Sequence, residues 1–382
     1  MITALPTDSP IARHAHRRLF LVADDLTGAL DAAAQFATLD RSIRVRWTPL
    51  SSTPGDSIAC DTGTRECSPE AARATVSRWL AHLPPHDGTL FFAKLDSLLR
   101  GHAAIELLAW LDVLRPTRCI VAPAFPFQNR VTVGSRQYIR TGAELRPAAS
   151  DLAADLERLG VAVSRCRPGD RAPAGVSFWD STDDVDLATI VASVDPTEGT
   201  VLWCGSGGLA AALAGGSSVA AEIAPLPKPV LGLFGSNHGV TLEQIAVCGN
   251  AAVTIAAGDA EAVERINAKI TAEGTALVQI KLAAGTSRDA AAIEIQRVYG
   301  ELVTRLTPPA ALVVAGGETL RAICSSLGSE ELLVDGQIIP GIPTSRMRGG
   351  HFDGTRIISK SGAFGAADLL RQLTARVTVF QP

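Results

Sequence analysis

Short apolar, β-branched runs alternate with longer Ala- and Leu-rich amphipathic stretches along almost all of this 382-residue chain. That alternation constrains the fold more than any other feature. Two consecutive parallel strands need a long crossover, and an α-helix is the usual one. In the first half, residues 19–23, 58–60, 90–94, 119–122, 161–164 and 201–204 read as strands. Residues 29–37, 68–83 and 104–113 read as intervening helices, the second capped by Ser68. The expected fold class is α/β, with mainly parallel sheets flanked by helices.

The rhythm breaks once, where Gly215-Gly216-Ser217-Ser218 is followed by Ala224-Pro225-Leu226-Pro227-Lys228-Pro229, a stiff polar connector. A second βαβ series then begins. Strands are expected at 230–234, 253–255, 276–280, 311–315 and 356–358, with helices starting at 241, 260, 290 and 319. The chain is too long for one ordinary core. We therefore expect two domains, 1–225 and 226–382, with an interdomain cleft and a hinge within 224–229.

A charge balance of 35 basic against 39 acidic residues, net −4, gives no field for nucleic acid or an anionic membrane. The seven cysteines are scattered without a CxxC, which points to reduced buried thiols rather than zinc or disulfides. Residues 1–18 lack the apolar core of a secretory signal, and no apolar run reaches the length of a membrane span. The expected compartment is the cytoplasm, the expected partners are small molecules, and a homodimer is the default assembly.

Ligands of open parallel sheets bind at the carboxyl ends of the strands. There the first half places Asp24-Asp25-Leu26-Thr27-Gly28, Asp61-Thr62-Gly63-Thr64-Arg65, Lys94-Leu95-Asp96-Ser97-Leu98-Leu99-Arg100-Gly101-His102 and Pro123-Ala124-Phe125-Pro126 with Asn129-Arg130. Carboxylates accept bonds from hydroxyls; Arg and Lys meet carboxylate or phosphate. Together they suit a polyhydroxy acid. The competing readings are that Asp25 or Thr27 only caps a helix, that Lys94 to Arg100 is a surface ion-pair cluster, and that His102 is structural.

The second half differs in character. Gly235-Ser236-Asn237-His238, Gly316-Gly317-Glu318-Thr319 and Lys360-Ser361-Gly362-Ala363-Phe364-Gly365 are glycine-bearing strand-to-helix turns. Free backbone N–H groups in such turns cradle phosphates, and three in one domain favour a nucleotide site. No GxxxxGK[ST] occurs, which excludes a Walker P-loop. Gly205-Ser206-Gly207-Gly208-Leu209-Ala210 fits a GxGxxA fingerprint, but no acid ends a following strand where a dinucleotide site needs one, so it reads as a packing turn.

On these motifs the chain, from about residue 19 to 370, resembles the four-carbon acid sugar kinase family. The resemblance implies a sugar-acid-binding first domain, an ATP-binding second domain, and Mg²⁺ as cofactor. It implies substrate contacts from Asp24, Asp25, Arg65, Lys94, Asp96, Arg100 and Arg130, with Asp25, Asp96 and Arg100 the catalytic candidates. Nucleotide contacts are implied for Ser236, Gly316, Gly317, Glu318, Thr319, Gly362 and Gly365, and no metal ligand is assigned. Leu98, Gln128-Asn129, Asn237-His238 and Ala363 depart from the family pattern, leaving threonate, erythronate and 3-oxo-tetronate open as substrates. The product would be a 4-phosphate. Two other readings are an NAD(P)-dependent oxidoreductase of a small hydroxy acid, resting on 205–210, and a non-catalytic sugar-acid sensor.

Overall fold

A computed structural model describes residues 17–38, 41–49, 55–195, 197–216, 223–235, 238–283, 285–362 and 364–375. The chain divides into two compact units, Met1–Ser218 and Val219–Pro382.

In the first unit the chain runs β1 (Arg18–Ala23), α1 (Leu26–Phe36), β2 (Ile43–Arg46), β3 (Ile58–Asp61), α2 (Pro69–Leu80), β4 (Thr89–Lys94), α3 (Ala103–Leu114) and β5 (Arg118–Ala122). It continues through β6 (Arg130–Val133), β7 (Arg136–Thr141), β8 (Glu144–Pro147), α4 (Leu152–Arg158), β9 (Val163–Cys166), β10 (Gly175–Trp179), α5 (Asp184–Ala192), β11 (Val201–Gly205) and α6 (Gly207–Leu213). Eight strands stand side by side in the order β2-β3-β1-β4-β11-β5-β10-β9, all parallel. Every residue of β3, β4 and β11 is buried, as strands covered by helices on both faces should be. Phe20, Phe91 and Trp110 meet edge to face, with centroids 6.1–6.4 Å apart. Strands β6, β7 and β8 form a separate antiparallel sheet.

The second unit contains β12 (Val230–Phe234), α7 (Gly239–Val247), β13 (Ala252–Ile255), α8 (Ala262–Glu273), β14 (Thr275–Ile280), α9 (Arg288–Val303), β15 (Ala311–Ala315) and α10 (Gly317–Ser326). It closes with β16 (Glu331–Ile339), β17 (Ile342–Arg348), β18 (Arg356–Lys360) and α11 (Leu369–Thr374). Its strands order as β13-β14-β12-β15-β18-β17-β16, with the first five parallel and the β16–β17 hairpin antiparallel.

The α/β class and the βαβ rhythm agree with expectation, and Ser68 caps α2 by accepting from Ala71 N. The connector differs. Leu226 is 4% exposed within the second unit's core and its N–H donates to Leu373 O at 2.8 Å. Apolar burial therefore packs Leu226, within the segment expected as a hinge, into the core of the second unit. All seven cysteines are free thiols, and five of them are buried. Among the described residues no helix is long and apolar enough to cross a membrane.

Candidate active site

The strand register decides which loops meet. Ala23 lies opposite both Asp61 and Lys94, and Lys94 opposite Gly205, which lies opposite Ala122. The carboxyl ends of β3, β1, β4, β11 and β5 are thus level, and the loops beginning at Thr62, Asp24, Leu95, Ser206 and Pro123 leave the sheet along one edge.

Asp25 caps α1, its Oδ1 accepting from Gly28 N at 2.8 Å, so the capping reading is correct as far as it goes. Its other oxygen accepts from Arg65 Nη1 at 2.6 Å. Arg65 Nε and Nη2 donate to the two oxygens of Asp24 at 2.8 and 2.7 Å. Arg65 Nη2 also lies 3.8 Å from Asp96 Oδ1. Asp96 in turn accepts from Arg100 through its backbone N (3.0 Å), Nε (2.7 Å) and Nη2 (2.9 Å). The loop can approach this closely because Gly101 sits at φ +78°, where a Cβ would come within 3.2 Å of Asp24 Oδ2.

These groups are electrostatically unlike one another. Burial pushes Asp24 above the usual carboxylate range despite Arg65, and the Asp25 and Asp96 charges push the same way. Burial opposes the Asp96 charge too, but its bonds from Arg100 and the charges of Arg65 and Lys94 prevail and hold it at about 2. Burial also works against the Arg65 charge, but Asp24 and Asp25 outweigh it and hold the guanidinium protonated. The Asp96–Arg100 pair is half-buried: Asp96 is 7% exposed, while the Arg100 side chain is 48% exposed.

Lys94 and Arg130 bond elsewhere, although the charges of both reach Asp96. Lys94 is buried, donates from Nζ to Leu95 O at 2.8 Å, and lowers the pKa of Asp31, which burial lifts to about 6. Arg130 Nη1 donates to Gln128 O at 2.6 Å while its Nε is buried with no partner. Burial and the nearby Arg100 and Arg146 charges lower the Arg130 pKa, and Asp96 opposes them. His102 is structural: it precedes α3 and its Nε2 bonds to Cys67 O.

One participant was invisible in the sequence. Glu106, in the first turn of α3, meets the Thr64 hydroxyl, Thr64 meets the Thr62 hydroxyl at 2.7 Å, and Thr62 donates to Ala23 O at 2.9 Å. With Thr64 donating to Glu106 Oε1 and Thr62 to Ala23 O, the Thr62–Thr64 contact has no proton of its own; a proton on Glu106 would reverse the first link and complete the chain. Burial and the Asp24 charge do raise its pKa to about 7, against the Thr64 bond and Arg65. Only its neighbours in space distinguish this residue from an ordinary acid of a helix start.

In the second unit, Phe234 lies opposite Ala315 and Ala315 opposite Lys360, so three glycine-bearing turns again start level. Gly316 has φ +107° and Gly365 φ +89°. A Cβ on Gly235 would lie 2.0 Å from Thr319 Oγ1, which brings the first two turns into contact. Gly317, exposed Glu318 and buried Thr319 open α10. The third turn is held by α7: Thr241 Oγ1 donates to Gly362 O at 2.7 Å, and Gln244 Nε2 lies within 3.1 Å of the carbonyls of Phe364, Gly365 and Ala366. Ser236 and Ala363 lie outside the described residues. Glycine-bearing turns at the starts of helices suit a polyphosphate through their backbone N–H groups. Among the described residues no three His, Cys, Asp or Glu converge as a metal site. Gly207 and Gly208 pack instead against Asp31, Phe125 and Ala124, where a Cβ would clash at 2.6–2.8 Å, so this turn is a close-packing device rather than a dinucleotide cradle.

Comparison with known proteins matches residues 19–166 to a sugar-binding N-terminal domain and residues 231–370 to a nucleotide-binding C-terminal domain. The chain is 29% identical to a D-threonate kinase of Cupriavidus necator, covering 91% of this chain and 94% of the relative. It is 24% identical to a D-erythronate kinase of Heliobacterium modesticaldum (91% and 94% covered) and 25% to a 3-oxo-tetronate kinase of Brucella melitensis (91% and 93%). Two solved structures share the fold. One is a Haemophilus influenzae protein of the DUF1537 family, TM-score 0.65 at 18% identity, covering 92% of this chain and 98% of that one. The other is a Salmonella typhimurium LT2 protein described as a tRNA synthase, TM-score 0.68 at 20% identity, covering 93% and 98%; at this identity the likeness is of fold alone.

Proposed function

Because the chain belongs to the four-carbon acid sugar kinase family, we propose that it transfers the terminal phosphoryl group of ATP to the 4-hydroxyl of a tetronate. D-threonate, D-erythronate and 3-oxo-tetronate form the substrate class. The observation that carries this reading is the knot of Asp24, Asp25, Arg65, Asp96 and Arg100 at one strand edge of the first unit. Such a knot satisfies a small acid with several hydroxyls. Ionised carboxylates accept from hydroxyls, and guanidinium forks meet a carboxylate.

Phosphoryl transfer asks a protein for positioning and for charge opposite the moving group. Asp96, held at about 2, stays ionised and acts as a hydroxyl acceptor while fixing Arg100. Asp24, shifted upward, is closer to a neutral-pH base than Asp96 is. Asp25 joins the α1 terminus to Arg65, so the acceptor hydroxyl would be oriented by an element that cannot drift. Arg130, with its unpartnered Nε, supplies a further cation for the acid end of the substrate. The turns at 235, 316–319 and 362–365 would hold nucleotide phosphate with backbone N–H groups. Mg²⁺, when bound, would neutralise phosphate charge; among the described residues no cluster of three acids, histidines or cysteines is arranged to hold it.

A coupled assay of ADP release, run with the three tetronates and with glycerate as a shorter control, tests the proposal. Turnover with at least one tetronate and ATP is the expected result. Tetronate binding without ADP release would favour the sensor reading, and nicotinamide reduction would favour the oxidoreductase.

A further inference from the structure

Strand β18 ends on a buried cation that forms no ion pair among the described residues. Lys360 is 1% exposed, and its Nζ donates to Thr241 Oγ1 at 3.1 Å. The Thr241 proton is already committed to Gly362 O, so the hydroxyl offers the ammonium a lone pair and no charge. Among the described residues no carboxylate pairs with Nζ. The charged groups on the surrounding elements are Glu243 on α7, Glu318 and Arg321 on α10, Arg346 and Arg348 on β17, Arg356 on β18 itself, and Asp368 and Arg371 at α11. None of these shifts Lys360, whose pKa burial alone draws down to about 8. A buried charge without a counter-ion costs folding free energy, and proteins keep such costs where function needs them.

Its place in the sheet says what the counter-ion is. Lys360 stands level with Ala315, its carbonyl accepts from Gly316 N at 3.0 Å, and the 361–365 turn begins at the next residue. Nζ therefore lies at the edge from which all three glycine turns leave. We propose that Lys360 is the residue that neutralises nucleotide phosphate in the second unit, with Thr241 positioning its ammonium. This rests on reading that unit as the nucleotide-binding half. Lysine presents a compact point charge to phosphate, and in a site shielded from water that charge acts more strongly than at a surface.

Lys360→Met in the full chain removes the charge and keeps the length. ADP affinity should fall by about tenfold or more, the loss of one strong charge-assisted contact. Adenosine, which carries no phosphate, should bind the variant as it binds wild type. The ligand-free variant should melt at a higher temperature, because the uncompensated charge is gone. Wild-type protein gives an independent reading. Calorimetry of ADP binding at about pH 8.5, in buffers of differing ionisation enthalpy, should show net proton uptake as phosphate raises the Lys360 pKa. Adenosine should show none. Undiminished ADP affinity in the variant would overturn the proposal. So would equal losses of ADP and adenosine affinity with a lower melting temperature, which mark a structural lysine, or the absence of proton uptake by wild type. A wild-type protein that binds neither ADP nor adenosine would remove the nucleotide reading itself, and the role of Lys360 with it.

Discussion

Arg65 grips Asp24 with a bidentate fork, Nε to Oδ2 and Nη2 to Oδ1, across 41 residues of sequence. Its remaining Nη1 reaches Asp25. One guanidinium thus fixes two adjacent carboxylates, and the loop carrying it is pinned to the end of β1.

Arg65→Lys keeps the charge and loses the fork. Since Arg65 is only 15% exposed and Asp24 4%, we expect a stability loss of about 2–3 kcal/mol by denaturant titration, somewhat less than complete removal of a buried partner. The KM for the tetronate should rise at least about tenfold. Wild-type stability and KM together would show that the fork contributes nothing.

Arg100→Lys should act on the acid rather than the nucleotide. Arg100 supplies two side-chain bonds that hold Asp96 near 2, so Lys should let that pKa climb and raise the tetronate KM with nucleotide affinity unchanged. The sign for stability follows. A depressed carboxylate stabilises the fold above its unfolded value, about 3.9, and that contribution is lost as pH falls towards 2. The variant should unfold at a higher pH than wild type in an acid titration; coincident acid transitions would contradict this account.

Glu106→Gln tests the hydroxyl chain. A carboxyl whose folded pKa is about 7, against about 4.3 unfolded, makes the fold less stable as pH rises through that window. Glutamine donates without titrating. Melting curves between pH 5 and pH 8 should therefore show a smaller decline for the variant. An identical decline would mean that Glu106 is ionised throughout.

Gly235→Ala places a methyl group 2.0 Å from Thr319 Oγ1 and must displace the start of α10. ADP affinity should drop at least about tenfold while tetronate binding, measured separately by calorimetry, stays near wild type. Loss of both would point to a general folding defect, and loss of neither would remove this turn from the nucleotide site.

Much of this was legible in the chain because parallel strands, buried on both faces, read as plain apolar runs that stop where polar residues begin. Asp24, Arg65, Asp96 and Arg100 were found that way, and the level strand ends unite them. Glu106 was not, since an acid in the first turn of a helix has an ordinary explanation in capping electrostatics. Lys360 was quoted within a motif, but its burial comes from the helices around β18. Parallel β2 and β10 were not read as strands either, and the antiparallel strands β6–β8 and β16–β17 were missed for another reason. They carry neither the apolar runs of the parallel strands nor a clean alternation; β8 is exposed throughout.

The strand order of the first unit sets a schedule for synthesis. β4 and β5 are consecutive in the chain, yet β11 lies between them and pairs with both. Until residue 205 has left the ribosome, the sheet has a missing plank, and two apolar strands face an empty slot with unpaired N–H and C=O groups. The loop starting at Leu95 is affected as well, because Leu95 N donates to Gly205 O at 2.8 Å. A nascent chain of this protein is therefore most prone to mispairing with its neighbours late in translation of the first unit, and the last strand of that unit to arrive removes the hazard and completes the level row of strand ends in one step.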